Sequence, residues 1–173
     1  MPYYHHNIAI TLGLVLFSLP LLSQSEQWSN LNQKEQEIMR VVVQVFDGMR
    51  AGDSAAVKQH FYPQVSSYSA FTTQAGEKVL KEGDIDQWYS AMAESHQAIW
   101  DERIWDYQVQ IDGNLSAVWS KYAFYLGTEF HHCGANAIQL AHDGERWRIF
   151  HIAGTRQKAE CEVPVHISDG ATY

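Results

Sequence analysis

The segment EFHHCGAN, Glu129 to Asn136, sets two histidines and a cysteine side by side, just ahead of a glycine and an asparagine. Imidazole and thiolate are ligands that zinc prefers, imidazole titrates nearest neutral pH, and a thiol in an oxidising compartment pairs with another. The segment therefore opens three chemistries: a metal centre, acid–base catalysis and a disulfide. Strand geometry separates them, because neighbouring side chains point to opposite faces. Phe130, His132, Gly134, Asn136, Ile138 and Leu140 fall on one face; His131, Cys133, Ala135, Ala137 and Gln139 fall on the other. The apolar Ile138 and Leu140 mark the first face as the inner one, which turns His132 and Asn136 toward the interior. Three adjacent residues of a regular strand cannot converge on one ion. His151 could meet His132 across the closing hairpin, but no Asp or Glu joins them at ligand spacing, so neither a metal nor a cofactor is expected.

Cys133 has one possible partner, since the chain holds only two cysteines. Folding the last hairpin at Asp143-Gly144 brings the region of Cys133 to the region of Thr155. Cys161 follows shortly after, so a chain turning back there joins the two sulfurs. The expectation is a Cys133–Cys161 disulfide, the alternative being two separate buried thiols. Nothing in the sequence places a base beside Cys133 to make it a nucleophile.

The remaining candidates describe a cavity. Tyr68, Phe71, Trp88, Tyr122, Phe124, His132 and Asn136 are read as inward-facing ligand-binding residues, an aromatic funnel with a few polar groups at its base. In the catalytic version His132 is the general acid or base, with a pKa near working pH. Tyr122 or Tyr68 then donates to a developing oxyanion, and Asn136 orients the substrate. The reaction class is proton abstraction next to a carbonyl: isomerisation, dehydration or cyclisation. The alternative for each is plain packing. Glu102 and Asp106 share a strand face, but Gln108 and Gln110 beside them place that face in solvent. Arg156 is read as a surface salt-bridge residue or an anchor for an anionic ligand at the sheet edge.

The elements that must position these residues follow from periodicity. NQKEQEIMRVVVQVFDGMRAGD is a long amphipathic helix, capped by Asn32 with Glu35 as reciprocal partner and stopped by Gly52. Asp53 caps a second helix ending at Pro63, VSSYSAF and VLKEG form a hairpin, and Asp84 caps a third helix. Beyond it the period changes to two. ERIWDYQVQIDG, LSAVWSKYAFYL, FHHCGANAIQLA and RWRIFHIAGTRQ are four long strands joined by tight turns. KAECEVPVHISDGATY has no period and reads as a surface tail. The expected parts are a signal peptide over 1–25, one domain over 26–158 and a C-terminal tail over 159–173.

The leader rests on IAITLGLVLFSLPLL, an uncharged run followed by SQS, with cleavage after Ser25. It predicts export to the periplasm or outside the cell, with no membrane contact after removal. A formal charge of −8 offers no field for phosphate backbones, so nucleic acid is excluded as a partner. The expected partner is a small molecule. A homodimer through the outer sheet face, at residues such as Trp119 and Tyr125, is the alternative from another class.

The order helix, short helix, hairpin, helix, four-strand meander resembles the nuclear transport factor 2-like fold. Its carriers are VVVQVFDGMRAGDSAAVKQHFYPQV and FHHCGANAIQLAHDGERWRIFHIAGTRQKAEC. The second segment is similar to an exported bacterial branch, the SnoaL-like proteins. In that branch a His-Cys-Gly run precedes an apolar strand, and a Trp-x-Ile strand ends in Thr-Arg followed by cysteine. The resemblance implies an α+β cone, with three N-terminal helices packed on a curved antiparallel sheet and a pocket at the open end. It names no activity, because the fold hosts isomerases, dehydratases, polyketide cyclases and pure binding modules. The branch tends to carry acidic residues at the positions of Asn136 and Gly154, and this chain has neither.

Overall fold

A computed structural model describes residues 28–94 and 96–170 of the 173. The expected signal segment 1–25 lies outside the described residues. Helix α1 (Gln33–Ala51) begins with the expected capping box. Glu35 N donates to Asn32 Oδ1 at 3.1 Å, and Asn32 N donates back to Glu35 Oε2 at 2.8 Å. Gly52 closes the helix with φ 69°, a conformation that costs glycine least. The stripe Ile38, Val42, Val45, Phe46 and Met49 is buried, together with Met39 and Val43. Each such side chain contributes about 1.5–3 kcal/mol of apolar burial, so this stripe is the spine of the core.

Helix α2 (Ser54–Lys58) is shorter than expected, and strand β1 (Phe61–Thr72) takes up its end. Pro63 therefore lies inside a strand. It is tolerated there because the ladder to the neighbouring strand is interrupted between Phe61 and Ser66, where no N–H is required. β2 (Lys78–Glu82), α3 (Ile85–Ala93), β3 (Trp100–Asp112), β4 (Leu115–Leu126), β5 (Glu129–His142) and β6 (Trp147–Arg156) follow. They form one sheet in the order β2-β1-β6-β5-β4-β3. The sheet is mixed rather than wholly antiparallel, because β1 returns beside β6 and pairs with it in parallel. Ile104, Val118, Ile138, Leu140 and Ile149 line its concave side against α1.

Three bulges bend the sheet. The β3–β4 register slips between Trp105 and Gln108, with Asp106 at φ 49°; β4–β5 slips at His131, and β5–β6 at Phe150. Each extra residue exchanges the two faces beyond it. Glu102 thereby shares the concave side with Trp100 and Ile104, while Asp106 is exposed. The expectation that both carboxylates face solvent is corrected for Glu102. Phe130 likewise leaves the face of His132 and packs edge-on against Tyr125 on the convex side, centroids 5.7 Å apart.

The tail is more than a surface strand end. Cys133 and Cys161 form the expected disulfide, with Cα atoms 5.9 Å apart. A fourth helix, α4 (Val165–Ser168), lies on the convex side with Ile167 buried. Arg103 holds its end: one guanidinium nitrogen donates to the carbonyls of Ile167 and Ser168, both at 2.8 Å, and Nε donates to Asp101 at 2.7 Å. The same guanidinium lies 4.1 Å above the Tyr125 ring. Tyr125 is therefore buried beneath this latch and unavailable as a dimer contact, whereas Trp119 is exposed.

The disulfide closes an interval of 28 residues, which corresponds to about 3–4 kcal/mol of lost freedom in the unfolded chain. Replacing both cysteines by alanine should lower the denaturant midpoint by that equivalent, as followed by circular dichroism. An unchanged midpoint would show that the tail contributes nothing to the folded state.

Candidate functional site

The concave side near the open end of the sheet gathers Trp100 and Glu102 from β3, Tyr122 and Phe124 from β4, His132 and Asn136 from β5, and Arg156 from β6. Registers explain the gathering. Glu102 stands opposite Phe124 and Phe124 opposite His132, while Tyr122 stands opposite Gly134 and Asn136 opposite Gly154. Trp100 and Phe124 remain half-buried although they face inward, so solvent or a ligand reaches them.

The centre is a carboxyl–amide pair. Asn136 Nδ2 donates to Glu102 Oε1 at 2.7 Å, reaching across β4, which is possible because the sheet is strongly bent. No hydrogen bond to Oε2 is made among the described residues. Glu102 as a whole keeps part of its surface, but its carboxyl is enclosed by protein atoms. That burial pushes its pKa up to about 7, against the opposing pull of the Asn136 hydrogen bond and the Arg156 charge; the nearby Asp101 adds to the rise.

Tyr122 is packed over Gly134, and its hydroxyl donates to Thr155 O at 2.7 Å. A Cβ on Gly134 would collide with that same carbonyl and come within 2.7 Å of the Tyr122 ring. The glycine is what lets a tyrosine of β4 cross β5 to reach β6. Tyr122's proton is thus committed to the backbone, and burial holds its pKa well above the usual phenol range. This corrects its expected role as donor to an oxyanion. Asn136 likewise spends an N–H on Glu102, so it positions the carboxyl.

His132 is buried, 5.0 Å from the Phe124 ring and 5.5 Å from the Tyr122 ring between centroids. Its Nδ1 lies 2.7 Å from Nδ1 of His131, so one ring donates and the other accepts. Burial, then the charge of Arg156, lowers its pKa to about 3. A histidine so depressed is neutral across the working range, which corrects its expected role as the group titrating near pH 7. The side chain of this wall whose pKa is moved into the neutral range is Glu102.

The other expected residues divide. Phe71 stands opposite Arg156 at the end of β1 and joins the concave side. Tyr68 stands opposite Ala153 and contacts His151, on the convex side, because it is one residue out of phase with Phe71. Trp88 packs against Phe61 and Tyr89 in the helix layer. His151 shares a register with the exposed Gln139 and bonds Ser66 Oγ at 2.8 Å, so it and His132 occupy opposite faces and cannot share an ion. Among the described residues no three His, Cys, Asp or Glu side chains converge as a metal site.

A separate cleft of about 270 Å³ opens on the convex side, between Trp105, Lys121, Thr155, Gln157 and the disulfide. It is lined by none of the groups with a strongly shifted pKa, which lie on the concave side and in the helix layer.

No protein-family model matches the sequence, and no curated protein matches it. Solved structures do match. A protein of unknown function with a cystatin-like fold from Nostoc punctiforme aligns over 75% of this chain and 96% of its own, at TM-score 0.59 and 11% identity. A nuclear transport factor 2-like protein of unknown function from Shewanella baltica aligns over 73% and 96%, at TM-score 0.54 and 13% identity. A member of the same family from Streptomyces avermitilis, provisionally named a dehydratase, aligns over 72% and 96%, at 0.52 and 11%. At these identities the likeness defines the fold: this chain has the nuclear transport factor 2-like fold, and no specific activity comes with it.

The raised pKa gives Glu102 a sign in stability. The folded state holds its proton up to about pH 7, while the unfolded chain releases it near 4.5. Its contribution is therefore neutral below pH 4.5, and stability is lost as pH rises through the window from 4.5 to 7. His132 acts oppositely: its folded pKa is lowered, so stability is lost as pH falls below 6.5 toward 3. Glu102→Gln should match the wild type at pH 4.5 and exceed it by roughly 2–3 kcal/mol above pH 7, in urea denaturation across pH. A constant difference at all pH values would mean that the carboxyl titrates normally.

Proposed function

We propose that the concave pocket binds a small carbonyl compound and that Glu102 exchanges a proton with it, within a domain exported to an oxidising compartment. The observation that carries the reading is the Glu102 carboxyl: enclosed, fixed by Asn136 at 2.7 Å, and held near pH 7. A group with that pKa is available both as acid and as base at neutral pH, which suits proton transfer next to a carbonyl. Trp100 and Phe124, with centroids 6.4 Å apart, supply an aromatic wall for a flat or apolar body. Isomerisation and dehydration both need such a transfer. The branch resemblance implies acids at the positions of Asn136 and Gly154; here the carboxyl comes from β3 and is delivered against Asn136 itself.

Solvent deuterium exchange into phenylacetone tests the transfer. The wild type should accelerate exchange beside the carbonyl, Glu102→Gln should lose about a hundredfold or more, and His132→Gln should retain the rate. Equal rates in wild type and Glu102→Gln, or no acceleration at all, would remove proton transfer and leave binding alone.

The disulfide and the apolar leader support export, and Trp28, buried in the core, is retained by a cut after Ser25. Intact mass of the chain recovered from a bacterial periplasm should begin at Glu26 and lie about 2 Da below the reduced chain. A mass with the leader retained, or two free thiols, would count against export.

A further inference from the structure

Two basic side chains, Arg156 and Lys158, stand beside the concave wall in a protein whose total charge is strongly negative. Gly154 stands opposite Asn136, and a side chain on Gly154 would meet Asn136 Oδ1 at 3.1 Å, so this face of β6 is the concave one. Thr155 and Gln157 line the convex cleft, and Gln157 N and O are both bonded to Cys133. Alternation along β6 therefore sends Arg156 to the concave side, and Lys158 follows in the bend just beyond the strand. Arg156 is exposed, and among the described residues neither it nor Lys158 has a carboxylate partner within ion-pair distance. Its charge is felt by Glu102, Tyr122 and His132, and that of Lys158 by His132, which places both beside the pocket. Glu102 attracts Arg156 but makes no ion pair with it, its carboxyl being bonded to Asn136.

We infer that this mouth selects ligands that carry a carboxylate, with Arg156 and Lys158 as the anion-binding pair and Trp100 and Phe124 receiving the apolar body. The fork of an arginine matches a carboxylate in two parallel hydrogen bonds, and a lysine two residues on supplies a second charge. The inference rests on the small-molecule reading above and names the class of molecule: a carboxylate attached to a flat or aromatic carbonyl-bearing frame.

The test uses phenylacetate and its neutral isostere phenylacetamide, each titrated against the full exported chain while the Trp100 indole N–H is followed by nuclear magnetic resonance. Phenylacetate should bind about tenfold or more tighter than phenylacetamide, and 0.5 M salt should weaken phenylacetate alone, roughly as screening requires. Arg156→Gln should bring the two affinities within about threefold while leaving phenylacetamide unchanged, and Lys158→Gln should act in the same direction more weakly. Equal affinities in the wild type, or a preference that survives Arg156→Gln, would overturn the inference while leaving the pocket reading intact. If neither probe shifts the Trp100 resonance, both are overturned. Loss of proton exchange in Glu102→Gln with the carboxylate preference retained supports both.

Discussion

A sheet that wraps a helix must bend, and here the bending is done by inserting single residues. The insertions at Asp106, His131 and Phe150 each let a strand turn around α1 without breaking its ladder for more than a step. The same insertions decide which side chains look inward. Upstream of Asp106, β3 contributes Trp100, Glu102 and Ile104 to the concave side; downstream it contributes Tyr107, Val109 and Ile111. A regular β3 with its lower half packed as observed would turn Glu102 outward and bring Asp101 and Arg103 in. The core and the site are therefore fixed by one steric requirement.

Enclosing a carboxyl is costly unless it is paired or neutral. Glu102 takes a middle course. One amide bond and a neighbouring guanidinium moderate the cost, and burial still dominates, which leaves the group half protonated near pH 7. His132 and Tyr122 meet the same wall by staying neutral, one depressed and one raised. Beside the charged Arg156, the wall thus holds three side chains with strongly shifted pKa values, of which only Glu102 is moved into the neutral range. Gly134 underlies this arrangement, because only a residue without a side chain lets Tyr122 lie across β5.

Much of this was legible in the residues. The capping box, the core stripe of α1, the four-strand meander and the disulfide all follow from local chemistry and from spacing. His132 and Asn136 are correctly turned inward by simple alternation from Ile138. The misreadings share a cause. Counting in twos gives Glu102 and Phe130 their faces, and a bulge between the counted residue and its reference reverses the answer; Tyr68 and Phe71, three apart, cannot both face inward on one strand, and the parallel pairing with β6 decides between them. Non-glycine residues at positive φ carry little local signal, and Asp106 is one of them. The depressed pKa of His132 is equally out of reach of the sequence, since it depends first on burial beside Phe124 and Tyr122 and then on Arg156 approaching from another strand.

The last turn of the chain is moored twice, by a covalent link at Cys161 and by the Arg103 guanidinium at the carbonyls of Ile167 and Ser168. The two moorings are separated by only a handful of residues. Opening either with the backbone intact leaves the freed end tethered at an effective concentration on the order of millimolar, so it returns faster than a competitor in dilute solution can arrive. Such redundancy keeps the tail over the convex side of β3 even where a reductant has already acted once.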